Sequence, residues 1–237
     1  MAIHLVFDFS AWLCAWLTSM MVARFGLLPV RSRRNLFTDP SYFTALGLGA
    51  IVGAVLFGSI NMTVAGIFQF GHSIAGAIAG GIVGVEIFKW FAGIRGSTGI
   101  QFVAPLAAGI AVGRWGCFFA GLPDYTFGTP TDMPWGVDFG DGISRHPVQI
   151  YESLSMFFFL TIYLFAIARR SPLFLGQGFY LFVGYYALQR FLWEFLKPYP
   201  ALVGPFDLFQ ILCAALLFYS AFMMSRNHDI HQAFAEL

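Results

Sequence analysis

The sequence predicts an all-α integral membrane protein with seven transmembrane helices. Of its 237 residues 58% are hydrophobic and 19% aromatic, whereas only 11% are charged, far below the charged fraction of about 25% that is usual in soluble domains. Several apolar runs reach the roughly 20 residues that one helical crossing of a bilayer requires. A formal net charge of +1 offers no basic surface for nucleic acid, so no nucleic-acid partner is expected.

Seven apolar runs account for most of the chain. The predicted spans cover residues 3–27, 41–61, 71–91, 99–120, 147–168, 177–197 and 204–225. In the third span Gly76, Gly80 and Gly84 recur at four-residue intervals, which favours close helix packing and leaves a broken or re-entrant segment open. No sequence repeat divides the chain, so we expect a single membrane domain over residues 1–237.

Basic residues are distributed unequally over the connections, and this sets the expected orientation. Two of them, Arg145 and Lys197, lie on one side, and eight lie on the other. The eight are Arg31, Arg33, Arg34, Lys89, Arg95, Arg169, Arg170 and Arg226. Because basic connections stay in the cytoplasm, we expect the N-terminus outside and the C-terminus in the cytoplasm.

The connection over residues 121–145 is the one long connection on the expected outer side. It contains Pro123, Pro130, Pro134 and several amphipathic aromatic residues, a composition typical of a compact segment at the level of the lipid headgroups. We interpret it as an interfacial arm between helices 4 and 5. Its four aspartates lack the order of an EF-hand loop, which favours a solvated loop over a metal site.

Seven charged residues fall inside the predicted spans or at their ends. They are Asp8, Glu86, Arg114, Glu152, Arg190, Glu194 and Asp207. An unpaired charge at a helix centre costs about 2.5 to 3.5 kcal/mol, so these residues must be paired, hydrated or near an interface. In the expected topology all but Glu86 gather at the outer leaflet. Glu86 lies three residues before Lys89, a spacing typical of a local helix pair.

Two groups of outer residues suit an anionic ligand. Tyr186, Arg190 and Glu194 recur at four-residue intervals and share one helix face, so the acid can hold the guanidinium in place. Arg145 and His146 precede the opening turn of the fifth span. Because a helix N-terminus beside basic residues attracts anions, this turn also favours a negatively charged ligand.

The arginines within the predicted spans indicate the kind of anion. A guanidinium binds phosphate oxygens through two parallel hydrogen bonds, so Arg114 and Arg190, with a histidine and the exposed helix end, would form a pocket for the phosphodiester of an anionic phospholipid. A purely structural role, in which Arg114 neutralises Glu152 or Asp207, remains open.

Three blocks of sequence, taken in order, form a pattern that covers most of the chain. They are residues 113–121, residues 145–152, and the triplet Tyr186, Arg190 and Glu194. Together with the seven spans, they resemble the prolipoprotein diacylglyceryl transferases. The Arg-His-Pro-x-Gln-x-Tyr-Glu block at 145–152 is the most specific of the three.

The resemblance implies an integral membrane enzyme of the bacterial cytoplasmic (inner) membrane with its active site facing the periplasmic leaflet. Such an enzyme moves the diacylglyceryl group of phosphatidylglycerol to the cysteine of a preprolipoprotein signal peptide and releases glycerol phosphate. The nucleophile belongs to the substrate, and fixed cations stabilise the charge on the leaving phosphate. We therefore expect neither a metal ion nor an organic cofactor.

Two groups of residues are expected at the site. The catalytic residues are His146, Arg114, Arg190 and Glu194. The substrate-binding residues are Tyr186, Gln149, Glu152, Gly121, Arg145, His72 and Cys117. By the resemblance, the two arginines would hold the phosphate, and Gly121 would permit a tight backbone approach.

Two positions depart from the pattern of the family. Ala75 stands where the third span usually carries a histidine, and Cys117 stands where an asparagine is usual. Either His72 or His146 replaces the missing base, or the chain is a paralogue that uses the same lipid with another acceptor. A non-enzymatic lipid-binding or transport protein is the alternative from another class. Cys117 itself is either a small packed residue or a nucleophile that carries the lipid fragment.

Overall fold

The computed structural model describes residues 2–28 and 39–235, and helices dominate these ranges. The seven long helices are α1 Ala2–Arg24, α2 Pro40–Val64, α3 Ile74–Ala92, α4 Val103–Ala120, α5 Val148–Ala168, α6 Pro172–Glu194 and α7 Leu208–Ala235. Two 3₁₀ turns, Ile100–Phe102 and Leu122–Asp124, flank α4. The only pairing of strands among the described residues joins β1 Val137–Asp138 to β2 Ser144–Arg145. The predicted helical class is therefore confirmed.

Six of these helices, α1 to α5 and α7, are long and apolar enough to cross a membrane. Helix α6 has 23 residues but carries more polar side chains, among them Gln177, Gln189, Arg190 and Glu194. The prediction of a helical membrane protein is thus confirmed for six apolar helices. The arginines at positions 31, 33 and 34, on which the expected orientation partly depends, lie outside the described residues.

The distribution of exposed and buried side chains is the reverse of that in a soluble protein. Phe9 and Trp12 on α1 are 71% and 78% exposed, whereas Glu152 on α5 is only 1% exposed. Large apolar side chains stay exposed where lipid is the solvent, and charged groups within spans turn towards the protein interior. The surface of the helices is therefore suited to hydrocarbon.

Local signals in the sequence set several helix ends. Asp39 caps α2 by accepting a hydrogen bond from the backbone amide of Ser41 at 2.9 Å. Ser73 caps α3 in the same way through the amide of Gly76 at 3.2 Å, and the helix then runs without a break to Ala92. Helix α4 ends at Gly121, whose φ of +67° turns the chain into the following connection. Glycine tolerates this left-handed region best.

The chain divides into two compact units. The first contains α1, α4, α5, α6 and the last part of α7, and the second contains α2, α3 and the first part of α7. In the first unit α1 packs along α4, α4 packs on α5, and α5 packs on α6. This order brings the C-terminal turns of α4 and the first turns of α5 together. The charged residues of the candidate site lie on these turns and at the end of α6.

The second unit depends on glycine for its helix packing. A Cβ atom added to Gly53 would overlap the backbone carbonyl of Gly76, and one added to Gly49 would overlap that of Gly80. The backbones of α2 and α3 therefore touch directly, as small residues at four-residue spacing allow. This contact explains the glycine row of the third predicted span as helix packing.

Candidate active site

The centre of the candidate site is the carboxylate of Glu152 in the second turn of α5. Its Oε2 lies 2.5 Å from Nε of Arg114 on α4. Its Oε1 lies 2.6 Å from a terminal nitrogen of Arg190 on α6 and 2.8 Å from Nζ of Lys197. Three cations from separate parts of the chain thus converge on one acid.

A second carboxylate supports two of these cations. Oε2 of Glu194 lies 2.9 Å from Nε of Arg190 and 3.7 Å from Nζ of Lys197. The predicted pair on one face of α6 is therefore present, with the expected i,i+4 spacing. We call the set Arg114, Glu152, Arg190, Glu194 and Lys197 the charge cluster.

The charge cluster is buried and carries an excess of positive charge. None of its five side chains is more than 6% exposed. Three cations and two carboxylates give a formal net charge of +1. Because a buried charge is costly unless it is compensated, the cluster favours the approach of an anion.

Arg114 retains donors that such an anion would need. The closest contact between its guanidinium and Glu152 is made by Nε, and among the described residues its two terminal nitrogens donate no hydrogen bond. A guanidinium has five N–H donors in a planar fork that matches carboxylate and phosphate oxygens. The fork of Arg114 is therefore available for two parallel hydrogen bonds to one ligand.

Tyr186 and Gln149 line the two sides of the charge cluster along their helices. Tyr186 is buried one turn before Arg190, and its ring stacks on Phe182 with centroids 6.4 Å apart. Gln149 is fully buried one turn before Glu152. Its Nε2 donates a hydrogen bond to Thr126 at 3.3 Å, whereas its buried Oε1 has no hydrogen-bond partner among the described residues.

A polar chain continues from Gln149 to the N-terminal turn of α1. Oγ1 of Thr126 donates to Oδ2 of Asp124 at 2.5 Å, and Oδ1 of Asp124 lies 2.9 Å from Nε2 of His4. This chain joins α1 to α5 through two polar residues of the connection that follows α4.

The structure places the predicted residues Arg145 and His146 outside the charge cluster. Arg145 makes a two-pronged contact with Asp141 at 2.6 and 2.7 Å, and its guanidinium lies over the ring of Phe127. This hydrogen-bonded pair lowers the pKa of the Asp141 carboxyl and raises that of the guanidinium. Nδ1 of His146 lies 3.3 Å from the hydroxyl of Tyr151.

The remaining predicted residues lie at helix ends. Gly121 is the turn that follows α4, where its φ is +67°. His72 is exposed immediately before the cap of α3, and Ala75 is buried in the first turn of that helix. Both belong to the second unit.

Sequence reasoning missed four members of this arrangement. His4 stands alone near one end of α1, and Asp124 and Thr126 belong to a connection that appeared to be solvated. Lys197, the last residue of the sixth predicted span, was predicted only to be a basic residue on the outer side. Asp124 lies eight residues after Gly116, but no spacing rule joins it to a histidine 120 residues earlier.

Comparison with known proteins gives consistent matches. The family model described as prolipoprotein diacylglyceryl transferase matches residues 5–226. A phosphatidylglycerol--prolipoprotein diacylglyceryl transferase of Geobacter sulfurreducens is 32% identical over 73% of this chain and 71% of the relative. A protein of the same name from Polynucleobacter asymbioticus is 30% identical over 96% of this chain and 98% of the relative. Another, from Vibrio vulnificus, is 34% identical over 74% of this chain and 68% of the relative. No solved structure matches.

Proposed function

Because the chain belongs to the prolipoprotein diacylglyceryl transferase family, we propose that it transfers diacylglyceryl from phosphatidylglycerol to the lipobox cysteine of a preprolipoprotein. The observation that carries this proposal is the buried charge cluster with its excess of one positive charge. A phosphodiester carries one negative charge, which these cations would attract. Its two free oxygens fit the open fork of Arg114, which binds them as a planar pair.

The charge cluster also suits the chemistry of the transfer. The sulfur of the acceptor attacks a glyceryl carbon, and negative charge grows on the phosphate that leaves. Cations held in place before the reaction lower this barrier because they do not have to reorganise as the charge develops. Glu152 and Glu194 act as positioning residues, since they fix the guanidinium of Arg190 from two directions.

The topology that goes with this function has seven crossings, with the N-terminus outside and the C-terminus in the cytoplasm. Helix α6 supplies the seventh crossing. Its 23 residues extend about 34 Å at 1.5 Å per residue, enough to span a hydrocarbon core of about 30 Å. The charge cluster then lies in the outer leaflet of the bacterial inner membrane, beside the interfacial arm at 121–145.

A second candidate function rests on Ala75. This side chain is 1% exposed and cannot take a proton at the position where the family usually carries a histidine. A paralogue with the same phospholipid donor and a different acceptor would tolerate this change. Lipid binding without chemistry is the third outcome that an assay must separate.

One assay separates the three functions. The purified protein is incubated in detergent with labelled phosphatidylglycerol and a synthetic lipobox peptide. We expect a thioether-linked lipopeptide and glycerol phosphate. Breakdown of the donor without a lipopeptide would favour the paralogue, and binding without breakdown would favour a lipid-binding protein.

The matched variant for this assay is Arg114→Lys. An ammonium keeps the positive charge but lacks the planar fork, so we expect most of the turnover to be lost. Turnover close to that of the unchanged protein would remove Arg114 from the phosphate site.

A further inference from the structure

A histidine that the charge cluster does not include lies beside it, in a pair with an acid. Nε2 of His4 is 2.9 Å from Oδ1 of Asp124, and the His4 side chain keeps 34% of its surface exposed. Asp124 is itself held by Thr126 through its second oxygen. The imidazole is therefore oriented by a fixed carboxylate and is still within reach of an incoming substrate.

The pairing determines which ring nitrogen is basic. A carboxylate only accepts hydrogen bonds, so Nε2 of neutral His4 carries the proton and Nδ1 carries the lone pair. Nδ1 faces α4 at Gly116, where an added Cβ atom would lie 3.6 Å from it. That distance is ordinary van der Waals contact, and the tighter neighbour of such a Cβ atom would be Cβ of Phe7 at 2.8 Å. An acid, and an imidazole that the acid orients with a lone pair on its other nitrogen, are the parts of a general base.

The same polar groups connect His4 to the charge cluster. Thr126 joins Asp124 to Gln149, which lies one turn from Glu152 on α5. Polar side chains therefore connect the histidine to a residue one turn from the charge cluster, all within the first unit.

We propose that His4 is the general base that takes the proton of the acceptor thiol, with Asp124 as its positioning residue. The proposal rests on the proposed function. The S–H proton moves to Nδ1 of His4, and the sulfur forms a bond to the glyceryl carbon. The C–O bond to phosphate breaks, its electron pair leaves with the phosphate oxygen, and the imidazolium returns its proton to water. The role is needed here because the family's usual histidine is absent at Ala75.

The test compares two acceptors whose need for a base differs. One lipobox peptide carries cysteine, and a second carries selenocysteine, whose selenol is ionised at neutral pH without help. In the His4→Gln variant we expect turnover with the cysteine peptide to fall by about 10² to 10⁴-fold, the usual contribution of a general base. Turnover with the selenocysteine peptide should stay within about tenfold of the unchanged protein, the margin we set for imperfect positioning once proton removal is no longer needed.

Three further variants make the result specific. Asp124→Asn should show the same selective loss in a smaller degree, because the amide no longer fixes the protonated nitrogen. Asp8→Asn, which alters an exposed acid one turn along α1, is the matched control and should leave both rates unchanged. Arg114→Lys should lose both rates equally, since it acts on the donor phosphate.

Several results would overturn the assignment. One is equal loss with both peptides in His4→Gln, which indicates a structural role. Another is full activity of His4→Gln with cysteine, and a third is the selective loss appearing in His72→Gln or His146→Gln instead. The proposed function fails separately, if the unchanged protein forms neither the thioether nor the selenoether.

Discussion

Replacement of Glu152 by glutamine probes the charge cluster most directly. The change removes one of two buried carboxylates and raises the formal charge of the cluster from +1 to +2. The three cations on Glu152 lie 2.5 to 2.8 Å from its oxygens. Removal of one partner of a buried ion pair costs about 3 to 5 kcal/mol. Because three cations lose the same acid, we expect about 5 kcal/mol, the upper end of that range.

This loss is large enough to measure by thermal unfolding in neutral detergent. For a chain of this size 1 kcal/mol shifts the melting temperature by about 2 to 4 °C, so Glu152→Gln should lower it by about 10 to 20 °C. Phosphatidylglycerol should restore more of the loss than phosphatidylcholine with matched chains. A ligand that binds only the folded state stabilises it, and an anionic headgroup replaces the negative charge that the variant has lost.

The matched control is Glu86→Gln in the second unit. Glu86 pairs with buried Lys89 at 2.7 Å and accepts a hydrogen bond from Tyr219 at 2.8 Å, so its loss should also destabilise the fold. Only one cation is released there, and no anionic ligand is expected. Two results would refute the inference of an anion site at Glu152. One is an equal rise in the melting temperature of both variants with phosphatidylglycerol. The other is a melting temperature of Glu152→Gln equal to that of the unchanged protein.

Three more predictions follow from contacts at the site. Arg190→Ala and Glu194→Ala should have strongly non-additive effects on turnover, measured in a double-mutant cycle; independent effects would show that they do not act as a unit. Cys117→Ser should retain full turnover if the residue only packs, whereas a covalent carrier would lose it. The pairing with Arg145 lowers the pKa of Asp141, so the pair contributes stability above the ordinary carboxyl pKa and loses it as the pH falls through the lowered value. In the unchanged protein, proteolysis of residues 121–145 should therefore become faster in strong acid. In Asp141→Asn this segment should be cleaved fast at every pH. A cleavage rate in the variant equal to that of the unchanged protein would contradict the pairing.

The helices were predictable because their signals are local. Each apolar run has the length of a bilayer crossing, and caps such as Ser73 and Gly121 stand directly beside the helix ends. The hairpin within 121–145 was not predictable in the same way. It depends on Asp138, whose carboxylate accepts three backbone hydrogen bonds from residues 140, 141 and 142. That turn forms from positive φ values at Gly140 and Gly142, which two glycines permit but do not require.

The candidate site was predictable only where it is local. The spacing of Arg190 and Glu194 on one helix indicated their pairing, and the structure has it. The convergence of Lys197 on Glu152 depends on how α5 and the end of α6 pack, which no spacing contains. The same reason applies to His4, since its acid lies beyond three intervening helices in the sequence. The contacts that bring these charged residues together therefore depend on tertiary packing and could not be predicted from sequence spacing.

The charge cluster is better explained by its use than by its effect on stability. Buried ion pairs are often replaceable by apolar residues at no cost, or with a gain in stability, so five buried charges are a poor means of holding helices together in lipid. Their arrangement does, however, fix Arg114 and Arg190 from separate helices at one carboxylate. The cost of desolvating and orienting these guanidinium groups is then met when the protein folds, before any lipid arrives. A phosphate that enters beside Glu152 meets donors already in place, and this is the condition under which fixed cations accelerate the departure of a phosphate.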